Sequence, residues 1–359
     1  MKNIYNLMLF LTATIGVAQI PAGYYNTATG TGYVLKTQLY NIINDHNDPG
    51  YGGLYTTYYT SDRDFYYENN GTLLDMYSEN PFGSECEFTY GVNQDDGTLG
   101  NNECERYNRE HLIPQSVFGS ATPMQSDAHC VVPSDKHVNA VRGDSPFGRV
   151  GSATYTSING SKKGNNLNSG YSAGYSGIVF EPIDEFKGDI ARMYFYFATR
   201  YQNLVAGYSY PMFNNTGNQV FTSNAINILL TWANNDPVTQ REIDRNNAVH
   251  DRQYNRNPFI DNPQYAMNIW GSLLSSDEFN VLDVTTIYPN PTNDNTINIQ
   301  SDSNIENINI VSVNGQLVQN IKNPLAVNQI YTVTNLPSGF YFMTITSNDT
   351  TFTKKIVVN

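Results

Sequence analysis

The chain has 359 residues, of which 40% are hydrophobic, and carries a formal net charge of −13 at pH 7. That is too apolar for a disordered chain and long enough for two domains, or for one large domain with an appendage. The charge argues against a broad basic surface for holding nucleic acid, although ten of the eleven arginines fall between Arg106 and Arg256, which leaves room for a local arginine-lined cleft on an acidic body.

Residues 1–18 read as a signal peptide. Lys2 supplies the positive start, and Leu7 to Val17 form an apolar run broken only by Thr12, Thr14 and Gly16. Gly16-Val17-Ala18 then offers small residues to a signal peptidase cutting before Gln19. A buried N-terminal strand is the alternative. The run is too short to cross a bilayer and no later stretch is long enough, so export without stable membrane insertion is expected.

Residues 19–282 are dense in aromatics, Arg and Pro and read as one domain. Tyr is abundant, at 27 residues, and the stretch from Tyr55 to Tyr67 could stack on bases or simply pack. Cys86 and Cys104 flank a polar, Gly-rich loop from Gly91 to Asn102 and are the preferred disulfide pair in an exported chain. Cys130 is then free and buried. No Cys-x-x-Cys spacing is present, which disfavours a zinc ribbon.

The chemistry concentrates in Asn108-Arg109-Glu110-His111-Leu112-Ile113-Pro114-Gln115-Ser116. Phosphodiester hydrolysis needs a deprotonated water, a cation to neutralise the phosphorane, and a proton for the leaving oxygen. His is the side chain poised to take a proton near neutral pH, and a neighbouring carboxylate can hold a divalent ion against the phosphate. Adjacent Glu-His pairs also occur for structural reasons, and in a regular strand their side chains point to opposite faces. The zinc-protease pattern His-Glu-x-x-His is absent.

A second run follows. Asp127-Ala128-His129-Cys130-Val131-Val132-Pro133-Ser134-Asp135 leads into Val138-Asn139-Ala140-Val141-Arg142-Gly143-Asp144-Ser145-Pro146-Phe147-Gly148. Further on, apolar residues at Ile190, Met193, Tyr194 and Phe197 predict a helix over 187–202. A second helix is expected over 223–234 with Ser223 as N-cap, and a third over 238–253 with Pro237 in its first turn. Asp251, Asn255, Arg256 and Asn257 form a polar cluster that would either contact a phosphate backbone or tie up the loop around Pro258, the second being favoured.

These blocks resemble the endonuclease I family. The likeness runs in order through Phe180-Glu181-Pro182, Lys187 to Arg192, Thr199-Arg200-Tyr201, Trp232, Asp236-Pro237-Val238 and Asn255 to Asp261, spanning about residues 100 to 270. The resemblance implies an α+β nuclease domain built on a ββα-metal (His-Me finger) core. It implies His111 as general base, and Glu110 and Asn139 as metal ligands, with Asn139 in the helix of the core. The implied metal is Mg2+, with Mn2+ or Ca2+ as substitutes. An arginine to stabilise the transition state is expected on general grounds. Arg142, one helical turn from Asn139, is the first choice and Arg109 the second; a structural ion pair to Asp127 or Asp135 is the alternative for both. His129 reads as an internal partner, and His137 matches no role. Cys130 stands where many relatives carry His or Asn, which leaves Glu110, His111 and Asn139 untouched.

After a junction near Asp283 to Pro291 the composition changes: Arg and Trp vanish while Asn, Ile, Val and Thr dominate. Ile297 and Ile299, then Ile308 and Ile310, lie in short alternating runs. Asn314-Gly315 and Pro337-Ser338-Gly339 mark turns, and Tyr341, Met343 and Ile345 share one parity against Phe340, Phe342, Thr344 and Thr346. This is the pattern of a small all-β sandwich over 283–359. Tyr288-Pro289-Asn290-Pro291, Gly315-Gln316-Leu317-Val318, Leu336 to Tyr341 and Lys354 to Val358 resemble the C-terminal sorting domain of type IX secretion, with a carbohydrate-binding or adhesion domain as the alternative. The expectation is a secreted or cell-surface endonuclease, exported via the periplasm by the type IX machinery. It would cut DNA, and RNA as well, with little sequence preference and leave 5′-phosphate products. A monomer is expected, though no sequence feature decides it. The rival readings are a secreted phosphoesterase acting on small substrates, which the acidic charge favours, and a non-catalytic surface binding protein.

Overall fold

The computed structural model describes residues 20–273, 286–301, 304–312, 316–347 and 350–359. The signal peptide, the expected boundary at 282/283 and the Asn314-Gly315 turn lie outside them. The chain divides into two compact units, Met1–Leu273 and Leu274–Asn359.

The first unit opens with helix α1 (Gly32–Ile43), which buries Leu35, Leu39 and Ile43 on one face, and α2 (Gly53–Ser61), which buries Leu54 and Tyr58. Strand β1 (Tyr107–His111) pairs antiparallel with β2 (Val131–Asp135), and α3 (Lys136–Arg142) follows directly. Strands β3 (Val150–Thr156), β4 (Lys162–Asn166) and β5 (Ile178–Glu181) form an antiparallel sheet in that order. Helix α4 (Lys187–Arg200) is buried on every side from Gly188 onward and forms the centre of this unit. It packs against α1 and α5 (Ser223–Asn235). Helices α6 (Gln240–Gln253), α7 (Pro258–Asp261) and α8 (Gln264–Trp270) complete the unit.

Two helix starts differ from expectation. Thr222, not Ser223, caps α5, its hydroxyl accepting from the Ala225 amide at 3.4 Å. Helix α6 begins at Gln240 because Thr239 and Glu242 form a reciprocal capping box, so Pro237 lies ahead of the helix. The disulfide joins Cys86 to Cys104, and Cys130 is free and buried. Tyr55 packs against the core that contains Tyr58, while Tyr66 and Tyr67 donate to Asp244 and Glu185, so most of the Tyr-rich stretch is packing.

The second unit is all β. Strands β6 (Thr286–Tyr288), β7 (Ile297–Gln300), β8 (Asn307–Ser312), β9 (Leu317–Lys322), β10 (Ile330–Val333), β11 (Gly339–Ser347) and β12 (Thr350–Val358) make two antiparallel sheets. Their orders are β10-β7-β6 and β12-β11-β8-β9. Both sheets feed one core of Ile297, Ile299, Ile308, Ile310, Tyr341, Met343, Ile345 and Ile356, as the alternation requires. Phe340 and Phe342 face out. Among the described residues no helix is long and apolar enough to cross a membrane.

Candidate active site

The β1-β2 ladder sets Tyr107 opposite Asp135 and His111 opposite Val131. The chain turns from β2 straight into α3 because Asp135 caps it. One carboxylate oxygen accepts the amides of His137 and Val138 at 2.8 and 3.0 Å, and the other accepts the Cys104 amide at 2.7 Å. The Asp135 amide in turn donates to Asp75 at 2.5 Å. Strand, helix and disulfide loop therefore meet at one residue.

His111 ends β1 and is only 6% exposed. Its Nε2 lies 3.0 Å from the main-chain carbonyl of Gln125. A carbonyl can only accept, so Nε2 carries the proton and Nδ1 is left with a lone pair that has no hydrogen-bond partner among the described residues. Burial is the main cause that lowers the imidazole to about 4; the Gln125 carbonyl opposes this, while Arg109 and Arg142 add to it. The ring is thus a neutral base at any ordinary pH.

Glu110, beside His111 on β1, meets a different set of neighbours. Its buried carboxylate takes the Tyr77 hydroxyl at 2.9 Å and an Arg142 guanidinium N–H on the same oxygen, Oε1. Oε2 has no partner among the described residues. Burial pushes the carboxyl up, and the Arg142 charge pulls it back. Asn139, half-buried on α3, donates its amide to Asn108 Oδ1 at 2.8 Å and to the Arg109 carbonyl at 3.4 Å. Because that carbonyl is an acceptor, the side-chain oxygen of Asn139 is the free end. No hydrogen bond links Glu110, His111 and Asn139 to one another. Each instead keeps one unpartnered acceptor: a carboxylate oxygen, an imidazole nitrogen and an amide oxygen. The two oxygens are a donor set suited to a hard divalent ion.

A family model described as Endonuclease I matches residues 31–264. The chain belongs to the Endonuclease I family. Two relatives named extracellular ribonuclease align with this endonuclease. The one from Bacillus amyloliquefaciens is 34% identical over 255 residues, covering 69% of this chain and 78% of that protein. The one from Bacillus subtilis (strain 168) is 33% identical over 252 residues, covering 69% and 78%. A model described as Secretion system C-terminal sorting domain matches residues 286–359. The chain is a nuclease, and it is secreted or cell-surface.

Most of the clustered arginines of this endonuclease turn inward. Arg142, Arg192, Arg241, Arg245 and Arg256 are buried. Arg192 forks onto Glu242, Arg241 meets Asp189, Arg245 meets Asp62, and Arg256 forks onto Asp261. Arg142, the first choice for transition-state contact, has no exposed surface. Besides Glu110 it donates to the carbonyls of His111 at 2.9 Å and Leu112 at 2.6 Å, and it lies over the Phe147 ring. In this arrangement it cannot reach a phosphate, and it holds Glu110 and the end of β1 in place. It pairs with neither Asp127 nor Asp135. Arg109 stays half-buried over the Tyr51 ring, donating one N–H to the Tyr51 carbonyl at 2.9 Å. Tyr51 also lies against His111 with the rings tilted, so Arg109 and His111 share a neighbour.

His129 is a buried internal partner of the Asn255 carbonyl, and Asn255, Arg256 and Asn257 are buried loop-tying groups. His137 sits near Tyr155 with no catalytic contact. The Cys130 thiol is enclosed and pushed up by burial, so it is not a reactive group. Sequence reading gave no role to Tyr77, Tyr51, Asn108 or the Gln125 carbonyl. Tyr77 lies 33 residues from Glu110 with no local pattern to tie them, and Gln125 acts through its main chain, where side-chain identity carries no signal.

Proposed function

We propose that this nuclease is a metal-dependent endonuclease that cleaves DNA and RNA with little sequence preference, leaving 5′-phosphate ends. The observation that carries the reading is the Gln125 carbonyl on His111 Nε2, which fixes the tautomer and leaves Nδ1 as the base. In this reading Nδ1 takes the proton of an attacking water, a P–O bond forms, the bond to the 3′ oxygen breaks, and a second water protonates the leaving 3′ oxygen. Glu110 and Asn139 would hold a divalent ion, Mg2+ with Mn2+ or Ca2+ as substitutes, through their unpartnered oxygens. A bound ion there supplies neutralising charge for the phosphate. Arg109 is the arginine placed to meet the phosphate, and Arg142 is a positioning residue. Because water is the nucleophile, a ribose 2′-hydroxyl is not needed, which is why both polymers are substrates.

Digestion of plasmid and RNA with and without chelator, followed by end analysis, tests this. The expected result is metal-dependent cutting of both polymers, with 5′-phosphate ends and no cyclic phosphate. Cutting that persists in chelator, or cyclic 2′,3′ ends on RNA, would overturn the mechanism. The acidic charge and the internal use of the arginines favour one rival, a phosphoesterase on small substrates. A preference for a short phosphodiester over polymer would establish it instead.

A further inference from the structure

Two loops ahead of β1 bring together carboxylates that the proposed chemistry does not use. Asp64 begins a loop closed by its own amide on the Thr72 carbonyl and by the Gly71 amide on the Asp64 carbonyl, both at 2.9 Å. Its Oδ1 accepts the amides of Tyr66 and Tyr67 at 3.0 Å each. Its Oδ2 is enclosed and has no partner, in a residue only 1% exposed. Glu79, on the second loop, is 5% exposed, and its Oε1 is likewise enclosed without a partner. Glu68 adds a third carboxylate from the solvent side, and one oxygen from each of Asp64, Glu68 and Glu79 lies within 4.8 Å of the other two. Glu85 adjoins Glu79 and accepts the Asn80 amide at 3.1 Å.

A buried carboxylate oxygen needs a hydrogen bond, a cation or a metal to offset its desolvation, and Asp64 Oδ2 and Glu79 Oε1 have no hydrogen-bond partner. Among the described residues no Lys, Arg or His forms an ion pair with any of these four. Oxygens about 2.4 Å from a shared calcium ion lie no more than about 4.8 Å apart. An all-carboxylate set excludes the soft and imidazole-seeking metals and suits calcium, magnesium or manganese. Ligands from two loops, one of them exposed, suit the larger and less exacting calcium shell, with water at the open positions.

We propose that Asp64, Glu68 and Glu79, with Glu85 beside them, form a structural divalent-cation site, separate from Glu110 and Asn139 and best matched to calcium. A cation there ties the 64–72 loop to the segment that carries Asp75 and Tyr77. Asp75 receives the amide of Asp135 at the head of α3, and Tyr77 donates to Glu110. Occupancy therefore stabilises the fold and steadies the support of the active-site carboxylate.

The test uses the full chain stripped with chelator, thermal melts with added Ca2+, and Tb3+ luminescence excited through tyrosine, since Tyr66 and Tyr67 flank the site. Wild type and Asn139→Ala should both show a Ca2+-dependent rise in melting temperature. Glu68→Gln, an exposed change that leaves the fold intact, should weaken Ca2+ and Tb3+ binding about tenfold or more. Glu79→Gln should markedly diminish the Ca2+-dependent rise, and in chelator it should melt above wild type because repulsion is relieved. A calcium-dependent rise undiminished in Glu68→Gln and Glu79→Gln, a rise lost in Asn139→Ala, or no rise in wild type would overturn the proposal.

Discussion

An imidazole that is to accept a proton from water must be neutral, correctly tautomeric and held still, and His111 meets each demand through a different neighbour. Burial keeps it neutral, the Gln125 carbonyl fixes the proton on Nε2, and Tyr51 and Phe118 flank the ring. Arg142 acts at one remove. Replacing it with Ala leaves Glu110 as a buried charge without its partner, a loss on the order of 3–5 kcal/mol. Thermal melts of Arg142→Ala should show that loss, whereas Arg109→Ala should melt close to wild type and lose turnover instead. Asp127 gives a pH prediction. Burial pushes this carboxyl up, but His46, His129, Gln253 and Tyr201 outweigh that and hold it at about 2. A depressed folded value means that the unfolded chain binds the proton more tightly. The contribution is therefore complete above the ordinary aspartate value of about 3.9 and is lost as pH falls from there through about 2. Denaturant melts across that window should show wild type losing stability more steeply than Asp127→Asn.

At the scale of elements, the helices were legible where periodicity was long. The apolar spacing of Ile190, Met193, Tyr194 and Phe197 gave α4, although nothing in that spacing says the helix is enclosed on all sides. Helix starts were less legible, because each had two plausible markers within two residues: Thr222 beside Ser223 as caps, and the cap Thr239 behind Pro237, which read as a first-turn residue. Hydrogen bonds, not propensity, chose between them. Thr239→Ala should destabilise the first unit by about 1 kcal/mol, measured by denaturant unfolding. Loss well under half of that would mean that Glu242, pinned by Arg192, holds the helix start alone. The core of the candidate site was legible because it is nearly contiguous: Glu110 and His111 adjoin on β1, and Asn139 follows on α3. Its supports were not. Tyr77 and Tyr51 come from distant segments, and Arg142 shares a helix with Asn139 yet turns inward, a choice made by the buried Glu110 and Phe147 rather than by spacing.

For the whole molecule, a charge of −13 and a nucleic-acid substrate are reconciled by where the arginines go. Half of the ten that the sequence clusters between Arg106 and Arg256 neutralise buried carboxylates, so they do not bind phosphate. Polymer binding should therefore depend weakly on salt. With one or two phosphate contacts, the slope of log affinity against log salt should be about −1 to −2, measured by titrating a catalytically inactive variant with duplex DNA. A slope near −6 would point to an extended basic track instead. The sorting unit carries its own core and its own all-β architecture, which suits an export address appended to an enzyme.

The most direct test of the account is turnover of plasmid and RNA by His111→Ala at saturating Mg2+, with and without added imidazole. If Nδ1 of His111 is the base, the rate falls about 10²–10⁴-fold, and imidazole restores part of it as its neutral fraction rises. His111→Ala cutting at the wild-type rate would contradict the assignment of the base and, with it, the mechanism built on the Gln125 hydrogen bond.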